Sequence, residues 1–118
     1  MTPEELETLI EDATYDHAVG KDVEAIEKLD RATTADPKCF EAWHALAEIN
    51  FAHRNFDRAL AAAEAAHALR PNDLFINTTL SRVWMEKGNK PKAEHFGAQA
   101  RMQSWKEELK EPPPDQAV

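Results

Sequence analysis

Residues 40–71 read FEAWHALAEINFAHRNFDRALAAAEAAHALRP and contain two helical patterns separated by a short polar break at Arg54 and Asn55. Apolar residues recur at helical spacing on both sides of the break, which is typical of two amphipathic helices joined by a turn. Alanine is frequent in both patterns, and its short side chain allows two helices to approach closely. The stretch therefore predicts a tightly packed antiparallel helical hairpin.

The same pattern recurs along the chain with a period of 34 residues. The columns that share this spacing are Ala25, Ala59 and Ala93; Ala32, Ala66 and Ala100; and Pro37 and Pro71. A fixed period of this length indicates an array of repeated units. We predict three hairpins, over about 6–39, 40–73 and 74–107. The expected helices cover 3–18, 22–35, 38–53, 56–69, 73–87 and 90–110.

The middle unit resembles the tetratricopeptide repeat, whose pattern places a large aromatic, a leucine and small residues at set positions. Those positions are occupied by Trp43, Leu46, Ala47, Ala59, Ala66 and Pro71. The resemblance implies an all-α fold, an α-solenoid of three antiparallel helical hairpins in a right-handed superhelical array. It also implies a single domain over residues 1–110.

The last predicted helix continues past the third repeat. We expect its end to act as a polar cap in which Trp105 and Leu109 cover the exposed core. The run Glu111-Pro112-Pro113-Pro114 then stops the helix and leaves residues 111–118 as a Pro-rich flexible tail. The proline run is explained either as a simple helix stop or as a polyproline II docking motif.

Composition excludes several classes of function. The net charge is -8 and the basic residues are scattered, which argues against nucleic-acid binding. Cys39 is the single cysteine, so no internal disulfide or zinc cluster is expected. The chain carries no phosphate-cradling Gly-rich loop and no Gly-x-Ser-x-Gly turn. We predict no enzymatic activity, no cofactor and no metal site.

The N-terminal residues are acidic and lack an apolar run, which is unlike a secretory signal or a transit peptide. No stretch of the sequence reaches the apolar length that spans a bilayer. We therefore expect a cytoplasmic protein that does not associate with membranes.

The tetratricopeptide resemblance implies that a segment of another protein binds to the concave surface, the face formed by the first helix of each hairpin. The residues expected there are Ile10, His17, Glu41, His44, Glu48, Phe51, Phe75, Arg82, Met85 and Glu86. We expect an adaptor or chaperone-like function, with partner apolar groups docking on Phe51, Phe75 and Met85. A partner Lys or Arg would meet Glu41, Glu48 or Glu86.

One subgroup of the family grips a C-terminal carboxylate with a clamp of Lys, Asn and Arg. In the corresponding region this chain carries Ile10, Thr14, Ala45, Phe75 and Thr79. The resemblance therefore implies that this protein does not recognise chaperone tails.

Other interpretations stay open for the same residues. Phe51, Phe75 and Met85 also fit a role in packing between neighbouring helices, and the acidic residues fit a solvating face. His44 and Glu48 lie one helical turn apart, and His17 could approach them from the first hairpin. Zinc requires three or four converging ligands, so this group does not predict a metal site.

Self-association is the alternative function. Three aromatic residues of the last hairpin and its extension, Trp84, Phe96 and Trp105, could form a homodimer contact. A mass that depends on concentration would favour this alternative.

Overall fold

The computed structural model describes residues 1–110, and the part of the chain that it describes consists of α-helices and turns without β-strands. The helices are α1 (Pro3–Ala18), α2 (Asp22–Ala35), α3 (Phe40–Ala52), α4 (Phe56–Leu69), α5 (Leu74–Glu86) and α6 (Lys90–Lys110). Consecutive helices pair as three hairpins, α1 with α2, α3 with α4 and α5 with α6. The predicted all-α array of three hairpins is confirmed.

Four of the six helices have the predicted bounds. The other two are shorter at both ends, because the residues that flank them are caps. Thr2 caps α1 as its sequence suggests, with its side-chain oxygen accepting a hydrogen bond from the Glu5 amide at 3.1 Å. Cys39 and Asp73 have extended backbones, and the Asp73 carboxylate accepts from the Ile76 amide at 2.9 Å. A capping residue lies outside the helical conformation, so α3 and α5 begin one residue after these caps.

The first helix of each hairpin ends in a left-handed backbone position. Gly20 and Gly88 have φ angles of 84° and 80°, and Arg54 has a φ angle of 63°. The three positions are 34 residues apart. Glycine adopts this conformation without a steric cost, whereas arginine does not.

The core lies between the two layers of helices. All six alanines of the two 34-residue columns are buried, together with larger residues such as Leu29, Ile76 and Leu80. Trp43 is half-buried against this core, and its indole N–H donates to the Pro37 carbonyl at 2.7 Å. Small residues at the crossings and large ones around them give the close helix packing that the alanine pattern predicts.

The end of α6 corrects the prediction of a cap. This helix has 21 residues, against 14 in α2 and in α4. Trp105 is 63% exposed and Leu109 is 70% exposed, so neither side chain covers the core. The reason is geometric, because α6 continues past the hairpin that it forms with α5, and among the helices of residues 1–110 its backbone lies beside α5 alone.

Residues 111–118, for which we predict a flexible tail, lie outside the described residues. Among residues 1–110, no helix combines the length and the apolar character that crossing a membrane requires.

Candidate protein-binding surface

On the face that we expect to be concave, a polar cluster joins α3 to α5. The Glu48 carboxylate accepts a hydrogen bond from the Thr79 hydroxyl at 2.6 Å and from an Arg82 N–H at 3.4 Å. His44 Nε2 lies 3.6 Å from the same carboxylate. The neighbouring His44 ring, the Thr79 hydrogen bond and the charge of Arg82 lower the pKa of Glu48 to about 2. We call these four residues the Glu48 cluster, and its carboxylate is ionised at neutral pH.

Phe51 is covered by residues of its own chain. The Arg82 guanidinium lies over the Phe51 ring, 4.3 Å from its centroid, and the Phe56 ring meets it edge to face at 5.4 Å. Phe51 is therefore half-buried, and the packing interpretation describes it better than an open anchor site does.

Phe75 and Met85 are the open apolar residues of the same surface. Phe75 is 65% exposed and Met85 is 56% exposed. Phe75 lies one helical turn before Thr79, whose hydroxyl oxygen lies 2.9 Å from the Phe75 carbonyl oxygen. Covering an exposed aromatic ring on a preformed helix face is favourable, because it removes apolar surface from water.

A second apolar feature lies between α1 and the start of α3. It is a groove of about 470 Å³. The groove is lined by Pro3, Leu6, Glu7, Ile10, Glu11, Cys39 and Glu41. Ile10 and Glu41 belong to the predicted site, whereas the contribution of Leu6 and Glu11 is new. In the sequence, Leu6 belongs to the apolar stripe of α1. The helical period does not indicate that α3 leaves part of the Leu6 side chain uncovered in the groove.

The three acidic residues expected to meet a basic partner already meet arginines of this chain. Glu41 pairs with Arg70 at 3.1 Å, Glu48 with Arg82 at 3.4 Å and Glu86 with Arg54 at 3.9 Å. Their charges are therefore largely compensated.

Uncompensated negative charge lies on α1 instead. This helix has six Asp or Glu residues and no Lys or Arg. Within residues 1–110, its Glu7 and Glu11 form no ion pair. Both line the apolar groove, so the acidic edge of the concave surface lies at its N-terminal end.

His17 does not approach His44 or Glu48. Its Nδ1 lies 2.7 Å from Asp22, and the His53 ring lies 3.6 Å from the other oxygen of that carboxylate. The His17 hydrogen bond is the main reason why the pKa of Asp22 is lowered. Throughout residues 1–110, no three His, Cys, Asp or Glu side chains are grouped so that they could hold a metal ion.

The three aromatic residues considered for a homodimer do not form one patch. Trp84 and Phe96 line the same groove with His67 and Lys92. The Lys92 ammonium covers the Trp84 ring at 4.2 Å, and the His67 ring packs edge to face on Phe96. Trp105 lies outside this groove, near the end of α6.

Comparison with known proteins supports the repeat assignment. Residues 40–73 match the tetratricopeptide repeat family, over the range predicted for the middle hairpin. The family resemblance and the tetratricopeptide-like fold are therefore confirmed. Among curated protein sequences, none matches this chain.

Solved structures with the same fold include two of MamA and one of a type III secretion translocator chaperone, SycD, from Yersinia enterocolitica. One MamA structure has a TM-score of 0.82 at 18% identity and covers 86% of this chain and 60% of MamA. The second has a TM-score of 0.80 at 18% identity, covering 92% and 59%. SycD has a TM-score of 0.81 at 18% identity, covering 86% and 77%. The chain spans about 60% of the length of MamA, and at this identity the likeness concerns the fold alone.

Proposed function

Because the middle hairpin is a tetratricopeptide repeat within a tetratricopeptide-like array, we propose that this protein binds a segment of another protein on its concave surface and catalyses no reaction. The observation that carries the proposal is the pair of apolar features on that surface. Phe75 and Met85 are exposed on α5, and the groove floored by Leu6 and Ile10 lies between α1 and α3.

The Glu48 cluster makes this surface rigid between the two apolar features. Its bonds connect α3 to α5 across the array. A surface held in one geometry before binding loses less conformational entropy when the partner docks. The cluster therefore has a positioning role, and partner contacts occur mainly on either side of it.

The partner segment has apolar anchors and at least one basic residue. The apolar anchors would fill the α1/α3 groove and cover Phe75. The basic residue would lie near Glu7 and Glu11 on the groove edge, because Glu41, Glu48 and Glu86 already face arginines. An adaptor or chaperone-like activity fits such a surface, and SycD, which shares the fold, is by its name a translocator chaperone.

Self-association is a second candidate function, supported by a different observation. The outer face of α6 exposes Met102, Trp105 and Leu109. This candidate does not require the concave surface.

Site-specific photo-crosslinking in extract from the native cell tests the concave-surface proposal. A photoreactive residue at Thr78, exposed on α5, is compared with one at Arg31, exposed on α2. We expect a distinct protein to crosslink from position 78 and not from position 31. The crosslink should disappear in Phe75→Glu and persist in Tyr15→Glu, since Tyr15 is 67% exposed but lies outside the concave residues. Equal crosslinking from both positions would contradict the proposal.

A peptide library tests the chemistry of the partner. Peptides selected on the purified protein should carry Lys or Arg close to an apolar residue. Their binding should weaken about tenfold in the double variant Glu7→Gln with Glu11→Gln, and weaken further in high salt. The matched control is Glu4→Gln with Asp12→Asn, which removes the same charge from another face of α1. Equal losses in both double variants would mean that overall charge, and not the groove, attracts the peptides.

A further inference from the structure

The last helix has two apolar faces on opposite sides. Its inner face carries the small residues Ala93, Gly97 and Ala100 beside Phe96, and Gly97 packs directly against Ser81 of α5. The outer face carries Met102, Trp105 and Leu109, which are 49%, 63% and 70% exposed. A helix turns by about 100° per residue, so Met102 lies about 200° around the helix from Ala100. The outer face therefore points away from the array.

An apolar outer face is unusual for the last helix of a repeat array, which normally presents polar residues to solvent. Here three large side chains at spacings i, i+3 and i+7 form a continuous stripe. Contiguous exposed apolar surface of this kind marks an interaction site. We call Ala98, Met102, Trp105 and Leu109 the α6 stripe.

We propose that the α6 stripe is a dimerisation surface, on which α6 of a second copy of this chain packs in antiparallel orientation around a two-fold axis. The spacing of the four residues is 4, 3 and 4, the seam of a two-helix coiled coil. In an antiparallel pair, Met102 of one copy faces Trp105 of the other, and Ala98 faces Leu109. The seam is therefore complementary to itself, as a two-fold contact requires.

The charges beside the stripe favour this orientation. Arg101 and Glu108 border the same side of the stripe, seven residues apart. In the antiparallel pair, Arg101 of each copy meets Glu108 of the other. The contact therefore contains two equivalent ion pairs. In a parallel pair, Arg101 would meet Lys106 of the other copy, and like charges at such positions oppose association.

The geometry of the array allows the pairing. Because the stripe lies opposite the inner face, the two arrays lie on opposite sides of the helix pair. Three large side chains from each copy bury an area near the lower limit of specific interfaces, about 1,000 Å². We therefore expect a weak dimer, with a dissociation constant on the order of tens of micromolar. This inference is independent of the proposed function of the concave surface.

Sedimentation equilibrium from about 5 to about 500 µM brackets the expected constant and tests the dimer. The parent protein of 118 residues should change from the monomer mass of 13.3 kDa towards twice that mass. Trp105→Glu should stay monomeric over the whole range, whereas Tyr15→Glu, which places the same charge at another exposed aromatic position, should dimerise like the parent. Circular dichroism establishes that all three proteins are folded.

A charge reversal tests the antiparallel register. Arg101→Glu and Glu108→Arg should each weaken dimerisation about tenfold, because each places two pairs of like charges at the contact. The two substitutions together should restore the dissociation constant to within about twofold of the parent.

Four results would overturn the proposal. They are a parent that stays monomeric, a double reversal that does not recover, a mass that rises beyond the dimer as in a head-to-tail chain, and a protein truncated after Lys110 that dimerises when the parent does not. The last result would mean that residues 111–118 occupy the stripe.

Discussion

Glu48→Gln should destabilise the array at neutral pH, because it removes the charge at the centre of the Glu48 cluster while keeping the size of the side chain. The pKa of Glu48 is lowered from 4.5 to about 2, a difference equivalent to about 3 kcal/mol in a site fully shielded from water. The side chain is 40% exposed, so solvent screening reduces the expected loss to about 1 kcal/mol. This loss should appear as a lower urea midpoint at pH 7, followed by circular dichroism.

The pH dependence of the loss has a defined sign. The pKa of Glu48 is lower in the folded protein, so its stabilising effect is complete above about pH 5 and disappears as the pH falls towards 2. The difference between parent and Glu48→Gln should therefore be smaller at pH 3.5 than at pH 5. Glu41→Gln is the control, because Glu41 is paired with Arg70 but is 62% exposed, and it should cost less than about 0.5 kcal/mol. A loss for Glu48→Gln that is equal at pH 7 and pH 3.5 would refute the electrostatic explanation.

Three further changes probe the packing of the array, each measured by urea unfolding. Arg54→Gly should raise the free energy of unfolding by about 0.5 to 1 kcal/mol, since Arg54 has a φ angle of 63° and glycine relieves this strain; a lower value would mean that the Arg54 side chain contributes more than its backbone costs. Gly97→Ala should cost about 1 kcal/mol, because the added methyl would lie 3.1 Å from the Ser81 hydroxyl, whereas in a Ser81→Ala background it should stabilise α6 by up to about 1 kcal/mol. The same sign in both backgrounds would exclude this contact as the cause. Trp43→Ala should cost about 2 to 3 kcal/mol and Trp43→Phe about 1 kcal/mol, the latter for the lost bond to Pro37; a Trp43→Phe variant as stable as the parent would contradict a separate role for that bond.

The fold was predictable because its signal is repeated. The alanine columns specify the close helix crossings, and the glycine positions specify where the first helices end. All six alanines are buried, and Gly20 and Gly88 have the left-handed backbone. The predicted starts of α3 and α5 were early because the caps Cys39 and Asp73, and Lys38 before Cys39, were counted as helical, although the backbones of the two caps are extended. Capping residues differ from first-turn residues in conformation more than in residue type.

The pairing of the acidic residues with arginines of the same chain was not predicted, although the 34-residue period indicates one of these pairs. Glu48 and Arg82 are 34 residues apart, so they occupy the same position in successive repeats and lie side by side on α3 and α5. The Glu41 and Arg70 pair is 29 residues apart and joins the start of α3 to the end of α4. Such a pair depends on how α3 and α4 pack, and the period alone does not indicate it.

The same reasoning explains why the end of α6 was assigned the wrong role. Within the array, a residue 34 positions further along the chain is the neighbour that covers or pairs with a given side chain. Trp105 and Leu109 have no such neighbour among residues 1–110, so the repeat pattern does not predict what these two side chains contact. We predicted that these apolar residues cover the core, but the inner face of α6 is already filled by Phe96 and by small residues that pack against α5. A large residue on the outer face then stays exposed unless another molecule covers it, and the stripe with its flanking charges favours a second copy of the same helix.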